Sequence, residues 1–139
     1  LHAGRFRLDG GGMFGVVPKT MWQTMIEADA NNRIGLDTNC LLLDDGTHTV
    51  LIETGYGDKW TDKERGFWDL EDRTILDALR EAATPPEAID VVIVTHLHFD
   101  HAAGLTRHDE TGQPVASFPN ARVYTQKTEW EDALANKST

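Results

Sequence analysis

Two stretches of the chain carry hydrophobic patterns that predict β-strands. Apolar and β-branched residues predominate at positions 40–43 and 47–52, and Asp-Asp-Gly lies between the two runs at 44–46. An Asp-Gly pair between two such runs is typical of a β-hairpin, so we predict a hairpin here. The run Val91–Val94 is continuously apolar and β-branched, which predicts a strand buried on both faces of a sheet.

Helical periodicity appears in two places. Apolar residues recur at helical spacing from Ile75 to Ala83 and stop before Pro85, which predicts a helix over about 71–83. Near the end of the chain, 121–125 has strand character, and the Thr128–Glu131 spacing is that of a capping box, which predicts a helix start at Thr128. The predicted order is strand, helix, strand, strand, helix, which indicates an α/β chain.

The remaining segments have weaker patterns. Residues 55–72 are aromatic and charged without a period of two or 3.6 residues, which predicts a loop with room for a short helix. Three adjacent glycines begin at Gly10, followed by Met13 and Phe14. Such a glycine run indicates either a turn or a backbone that another group approaches closely.

Composition and charge limit the classes of protein to which this chain can belong and the partners that it can bind. The 139 residues suit one domain, 1–139, and are 40% hydrophobic and 26% charged, as in ordinary globular proteins. The formal charge of −10 disfavours nucleic acid and anionic membrane surfaces as partners, and no apolar run reaches the roughly 20 residues of a membrane helix. No secretory signal opens the chain, which favours the cytoplasm. The single cysteine, Cys40, fits a buried apolar position.

The segment directly after Val91–Val94 contains the candidate metal ligands of this chain. His96, His98, Asp100 and His101 place three imidazoles and one carboxylate within six positions. These donors suit zinc, iron, manganese or nickel. His96 and His98 can meet one metal, while Asp100 and His101 point elsewhere and can serve a second. The alternative is a polar loop with satisfied hydrogen bonds, which four ligand-type residues so close together disfavour.

These residues resemble a known family. The segment from Ile89 to Gly104 is similar to the HxHxDH signature of the metallo-β-lactamase superfamily, and 51–55 (Leu-Ile-Glu-Thr-Gly) falls in that family's order. Two positions depart from the family pattern: Glu53 stands in place of the usual Asp, and Ala103 in place of a frequent Gly. The opening at 9–19 and the segment 32–34 resemble the subgroup that includes quorum-quenching acyl-homoserine lactone lactonases.

The resemblance implies a fold and a ligand assignment. The family fold is a four-layer αβ/βα sandwich, of which this chain would be the N-terminal half, a mixed sheet with helices on one face. His96 and His98 would bind a first zinc ion, and Asp100 and His101 a second, with Asp100 also handling a proton as the catalytic residue. The family's remaining ligands come from the second half, after this sequence ends. His2, His48 and His108 are weak candidates to replace them.

The implied activity is metal-dependent hydrolysis of a small-molecule substrate. A metal-activated water would attack a lactone or ester carbonyl. The alternatives are a thioesterase or single-iron persulfide oxygenase of the same superfamily, or a non-catalytic metal-binding half-domain. We expect the 139-residue chain alone to be inactive, and to self-associate through the sheet face that a second half would cover.

Aromatic and thioether side chains are candidates for the wall of a substrate pocket. Met13, Phe14 and Trp22 are the first choice, and Trp60, Phe67 and Trp68 lie in the aromatic segment at 55–72. Small-molecule sites are mainly apolar with a few polar groups, which these residues suit. The alternative for all six is ordinary core packing.

Overall fold

The structure, a computed structural model, describes residues 1–135. The four residues of the predicted domain at 136–139 lie outside the described residues. Within 1–135 the strands are β1 (His2–Asp9), β2 (Arg33–Asn39), β3 (Leu41–Asp44), β4 (Thr49–Ile52), β5 (Val91–Val94), β6 (Thr106–His108), β7 (Pro114–Ala116) and β8 (Arg122–Thr125). The helices are α1 (Gly10–Phe14), α2 (Lys19–Trp22), α3 (Asp62–Trp68), α4 (Ile75–Glu81), α5 (Phe99–Ala102) and α6 (Lys127–Leu134).

The central sheet has the strand order β3-β4-β5-β8. β3 pairs with β4 antiparallel, which confirms the predicted hairpin, and β4–β5 and β5–β8 are parallel. The turn is held by Asp45, whose Oδ1 accepts hydrogen bonds from the amides of Thr47 (2.8 Å) and His48 (2.7 Å). Gly46 adopts φ 81°, a left-handed conformation that glycine adopts without strain. The mixed sheet is the one predicted.

Two smaller sheets lie outside the predicted elements. β1 and β2 pair antiparallel, and β6 and β7 form a short antiparallel ribbon. The start of β1 is tied to the central hairpin, because the Leu1 amino group donates to the Cys40 carbonyl (2.7 Å) and the Cys40 amide donates back to the Leu1 carbonyl (2.8 Å).

The core lies between α4 and one face of the central sheet. Its buried residues include Leu51, Val92 and Val94 from the sheet and Ile75, Ala78 and Leu79 from α4. The predicted helix at 71–83 is correct in place but too long. Its first residues are held to β1 instead, since the Glu71 amide donates to the Arg5 carbonyl (2.8 Å) and Arg73 Nε to the His2 carbonyl (2.9 Å). The short helix allowed for in 55–72 is present as α3.

The prediction that β5 is buried on both faces is wrong. Val92 and Val94 are buried, but Ile93 is 36% exposed and Val91 is only half-buried. Successive side chains of a strand point to opposite faces, and helix α4 covers only one of them. Continuous hydrophobicity in β5 therefore marks a face that the described residues leave partly uncovered.

The capping box predicted at Thr128 is also wrong. Helix α6 begins at Lys127, and its N-cap, Gln126, makes no side-chain capping bond. The helix follows β8 after a single residue, so Thr128 already lies in the first turn. Capping boxes occur instead at the starts of α3 and α4, on Thr61–Glu64 and Thr74–Asp77.

The prediction for Cys40 agrees with the structure. Cys40 is buried, and burial raises the pKa of its thiol to about 12. The glycine run forms the start of helix α1 instead of a turn, and the close approach to its backbone is made by a side chain. A Cβ atom on Gly10 would lie 2.4 Å from the Trp22 ring, so this glycine is required by close packing. In the described part of the chain, no helix has the length and apolar character needed to cross a membrane.

Candidate metal centre

The four predicted ligands follow the central strand β5. The chain turns through Thr95–His98 and enters the short helix α5, which carries Asp100 and His101. Parallel strands in α/β folds place functional groups beyond their carboxyl ends, and β5 is parallel to both of its neighbours. The sheet therefore fixes where these side chains can meet.

The structure brings the four side chains together. The rings of His96 and His98 have centroids 4.6 Å apart, and those of His96 and His101 are 4.0 Å apart. His101 Nε2 lies 3.5 Å from Asp100 Oδ2. Among the residues that the structure describes, however, no group of three or more His, Cys, Asp or Glu side chains has the geometry needed to hold a metal ion.

The chemistry of the cluster fits a transition metal, because imidazole nitrogens and a carboxylate are the donors that zinc prefers in catalytic sites. Beside the cluster, His101 Nδ1 and Glu53 Oε2 are buried and have no hydrogen-bond partner among the described residues, although the two atoms are 3.3 Å apart. They are close enough for an ion pair but are not aligned for a hydrogen bond. Such polar atoms are costly to bury, and they border the ligand cluster.

A second layer of contacts holds the ligand segment in place. Glu53 Oε1 accepts a hydrogen bond from the Thr95 amide (3.1 Å), and Thr95 Oγ1 lies 3.1 Å from His96 Nδ1. The His101 carbonyl accepts hydrogen bonds from the Thr54 hydroxyl and amide, both at 2.8 Å. Glu129 Oε2 accepts from the Leu97 amide (3.1 Å). In the sequence, Glu53 is recognisable only as a departure from the family pattern, and nothing marks Thr95 or Glu129 as supporting residues.

A cleft of about 600 Å³ opens over the cluster. All four predicted ligands line it, and its other lining residues are mostly apolar: Phe6, Leu8, Met13, Leu36 and Phe99, with Gly12 and Asp37. An apolar cleft that ends on a few polar groups is the usual form of a small-molecule site.

The predicted pocket residues take different positions. Met13 lines the cleft and is 51% exposed. Phe14 stacks on Trp22 with ring centroids 5.1 Å apart, and Trp22 is buried. Neither is among the described residues that line this cleft, so the packing alternative applies to Trp22. Of the later aromatics, Trp60 and Trp68 pack against Phe99, and Phe67 packs against Trp68.

The other histidines lie elsewhere. His2 Nε2 is 3.4 Å from Asp37 Oδ1, His48 lies in the turn between β3 and β4, and His108 is on β6. None of these three lines the cleft over the described part of the chain. The structure thus gives no support to their use as additional ligands.

Comparison with known proteins shows the family of the chain that carries this cluster. The sequence profile of the Metallo-beta-lactamase superfamily matches residues 33–133, which include all four predicted ligands. The chain belongs to the metallo-β-lactamase superfamily. The resemblance seen in the sequence is therefore confirmed, as is the mixed α/β architecture.

Relatives within the superfamily include both curated and solved proteins. An N-acyl homoserine lactonase from Bacillus thuringiensis is 28% identical over 113 residues, which cover 73% of this chain and 41% of the lactonase. The structure of a probable metal-dependent hydrolase from Staphylococcus aureus is 34% identical with a TM-score of 0.86, covering 97% of this chain and 49% of that one.

A third protein has a similar fold at lower sequence identity. The dizinc quorum-quenching lactonase AidC, solved with a product, is 22% identical with a TM-score of 0.68, covering 94% of this chain and 42% of AidC. At this identity the likeness shows the fold alone. The chain spans less than half the length of each of these three proteins.

Proposed function

We propose that the protein carrying this chain is a metal-dependent hydrolase that opens a lactone or a similar ester carbonyl. The observation that carries the proposal is the gathering of His96, His98, Asp100 and His101 beyond β5, in the lining of a largely apolar cleft. Superfamily membership and the lactonases among the relatives support it. Because the chain spans less than half of those relatives, the proposal concerns a protein of their full length.

Each residue of the cluster has a role in this proposal. His96 and His98 hold one zinc ion, and Asp100 and His101 hold a second, with iron, manganese or nickel as alternative metals. Bound zinc supplies a water of lowered pKa and polarises the substrate carbonyl. Asp100 offsets part of the positive charge and passes a proton to the leaving alkoxide. Thr95, through its contact with His96 Nδ1, leaves His96 Nε2 for the metal.

The cleft suggests the class of substrate. Met13, Leu36 and Phe99 provide apolar surface directly beside the ligand cluster, which suits an acyl chain attached to the reacting carbonyl group. Phe14 and Trp22 stack on each other and are not among the described residues that line the cleft. A small acylated lactone is therefore the substrate class that we propose.

The test is an assay of lactone opening by the full-length protein after metal removal and reloading with zinc. We expect turnover of an N-acyl homoserine lactone only with metal, and a loss of at least about 100-fold in His96→Ala and Asp100→Asn, since metal activation and proton transfer are both affected. His48→Ala, in the distant hairpin turn, is the matched control and should keep the wild-type rate. Full rates in both site variants would refute the proposal.

The same preparation separates the alternatives. Faster hydrolysis of a thioester than of the lactone would favour a thioesterase, and oxygen consumption with a persulfide in the iron-loaded protein would favour the oxygenase. Zinc binding without turnover of any of these substrates would indicate a non-catalytic metal-binding protein.

A further inference from the structure

Two glutamates outside the ligand motif hold the main chain on either side of His96. Glu53, directly after β4, accepts a hydrogen bond from the Thr95 amide, and Glu129, on α6, accepts one from the Leu97 amide, both at 3.1 Å. The two carboxylates come from opposite parts of the sequence, 42 residues before and 32 residues after their respective partners. Carboxylate oxygens are strong hydrogen-bond acceptors, so the main chain is held at Thr95, before His96, and at Leu97, after it.

The second oxygen of Glu53 faces a metal-ligand candidate. Glu53 Oε2 is 3.3 Å from His101 Nδ1, and both atoms are buried and have no hydrogen-bond partner among the described residues. The opposite nitrogen, His101 Nε2, is on the side of Asp100 Oδ2 at 3.5 Å. A carboxylate beside Nδ1 favours the tautomer that has its proton there, which leaves the Nε2 lone pair directed toward the cluster.

The backbone of Glu53 is itself held in an unusual conformation. Its φ is 66°, which is uncommon for a residue with a long side chain. The conformation is maintained by neighbouring hydrogen bonds: the Glu53 amide donates to the Ile93 carbonyl (2.9 Å) and the Thr54 amide to the His101 carbonyl (2.8 Å). Such conformations persist where the surroundings fix them, often at functional sites. Here the result is that one side chain reaches both Thr95 and His101.

We propose that Glu53 and Glu129 are positioning residues for the metal centre. Glu53 sets the tautomer of His101 and orients Thr95, and Glu129 holds the turn at Leu97, so that zinc affinity depends on two side chains that do not bind zinc. This inference rests on one part of the proposed function, that the cluster binds a metal ion, and does not depend on the substrate. Second-layer partners of metal-bound histidines typically change metal affinity by about 10–100-fold when they are replaced.

Glu53→Gln tests the tautomer without a change in side-chain size. The Gln carbonyl oxygen must face the Thr95 N–H, so the Gln amide N–H₂ faces His101 Nδ1 and favours the tautomer protonated on Nε2. We expect imidazole ¹⁵N NMR of the metal-free full-length protein, at a pH where the ring is neutral, to show the Nδ1–H form in wild type and the Nε2–H form in the variant. Zinc affinity, measured by competition with a chromophoric chelator, should fall about 10–100-fold.

Glu129 is tested by a pair of substitutions and a control on the same helix. Glu129→Gln keeps an acceptor for the Leu97 amide and should bind zinc nearly as wild type does, whereas Glu129→Ala should weaken binding by about tenfold. Glu131→Ala removes an exposed carboxylate that pairs with Lys127 (3.5 Å) and should leave zinc affinity unchanged. The visible spectrum of the cobalt-loaded protein should change in Glu129→Ala alone among these three.

The outcomes separate this inference from the proposed function. An Nε2–H tautomer in wild-type protein, or the same tautomer in wild type and Glu53→Gln, would overturn the role of Glu53 whether or not metal binds. Unchanged zinc affinity in Glu129→Ala would overturn the role of Glu129. A wild-type protein that shows the Nδ1–H form but has no lactone turnover would instead contradict the proposed function and leave the tautomer assignment supported.

Discussion

At the scale of single residues, Gly104, the final residue of the motif at 89–104, is packed tightly against the main chain beside it. A Cβ atom on Gly104 would lie 2.0 Å from the Thr54 carbonyl oxygen, and the Gly104 amide donates to the Gly55 carbonyl (3.0 Å). The clashing atom belongs to the backbone, which is fixed by hydrogen bonds to His101 and cannot move aside as a flexible side chain could. The packing of this glycine thus helps to set where the ligand helix α5 sits.

We expect Gly104→Ala to lower the free energy of unfolding by about 2–3 kcal/mol, because the added methyl group overpacks against backbone. The measurement is chemical denaturation followed by circular dichroism.

Gly66→Ala is the matched control for that substitution. Gly66 lies within α3, and a Cβ atom there would meet no atom within 4 Å. Alanine is the better helix former, so this variant should be more stable by about 0.5–1 kcal/mol. Equal effects of the two substitutions would show that the contact with Thr54 does not constrain the motif.

Glu53 shows which properties of a single residue can be predicted from the sequence and which cannot. Its position could be recognised as a departure from the family pattern, but its contacts with Thr95 and His101 depend on how β4 and β5 pair. Glu129 has even less signal, because its partner Leu97 is 32 residues away. Contacts of this kind are set by tertiary structure and leave no local pattern.

At the scale of elements, the first turn of α4 is the clearest case in which neighbouring residues determine where a helix begins. Thr74 Oγ1 accepts a hydrogen bond from the Leu76 amide (3.2 Å), and Asp77 Oδ2 accepts one from the Thr74 amide (2.9 Å). This reciprocal arrangement satisfies amides that the first turn of a helix would otherwise leave unpaired. Because α4 supplies Ile75, Ala78 and Leu79 to the core, its capping bears on the stability of the whole domain.

Thr74→Ala should therefore cost about 1 kcal/mol of unfolding free energy. Thr128→Ala is the comparison: α6 has no side-chain cap from its N-cap residue, and Thr128 lies inside the helix, so we expect a change within about 0.5 kcal/mol. Thermal and urea unfolding measure both variants. A larger loss in Thr128→Ala than in Thr74→Ala would restore the capping box predicted from the sequence.

The missed strands have different explanations. In β1, Phe6 and Leu8 alternate with Arg5, Arg7 and Asp9, so a period of two was present in the sequence and could have predicted the strand. β6 and β7 have only three residues each, which is too short for periodicity to be recognised. Their pairing with each other is decided by the turn at Asp109, whose Oδ1 accepts from the amides of Thr111 (2.8 Å) and Gln113 (2.9 Å).

At the scale of the whole molecule, one face of the central sheet is apolar and open. Leu41, Ile52, Ile93 and Tyr124 are aligned across the four strands, and Leu41 and Tyr124 are about half exposed, at 53% each. Leu43, on the same face, is also exposed. A continuous exposed apolar surface favours association with another surface.

We expect the 139-residue chain, studied by itself, to self-associate through this face. Sedimentation or light scattering over a range of concentrations measures it. The double variant Leu41→Lys with Leu43→Lys places two charges on an edge strand and should shift the chain toward the monomer.

Val16→Lys is the control for the double variant. Val16 is apolar and fully exposed but lies outside the sheet, so a lysine there should not change the association. A wild-type chain that stays monomeric at high concentration would contradict the prediction.

The sequence by itself determined the features that depend on neighbouring residues. Alternation, turn chemistry and helical spacing located the hairpin, the core of α4 and β5, and the dense ligand motif identified the superfamily before any contact was known. Tertiary structure alone decided which face of β5 is covered, where Trp22 packs, and which carboxylates support His96 and His101. The reason is physical: these properties depend on residues brought together from distant parts of the chain, and a local pattern carries no record of them.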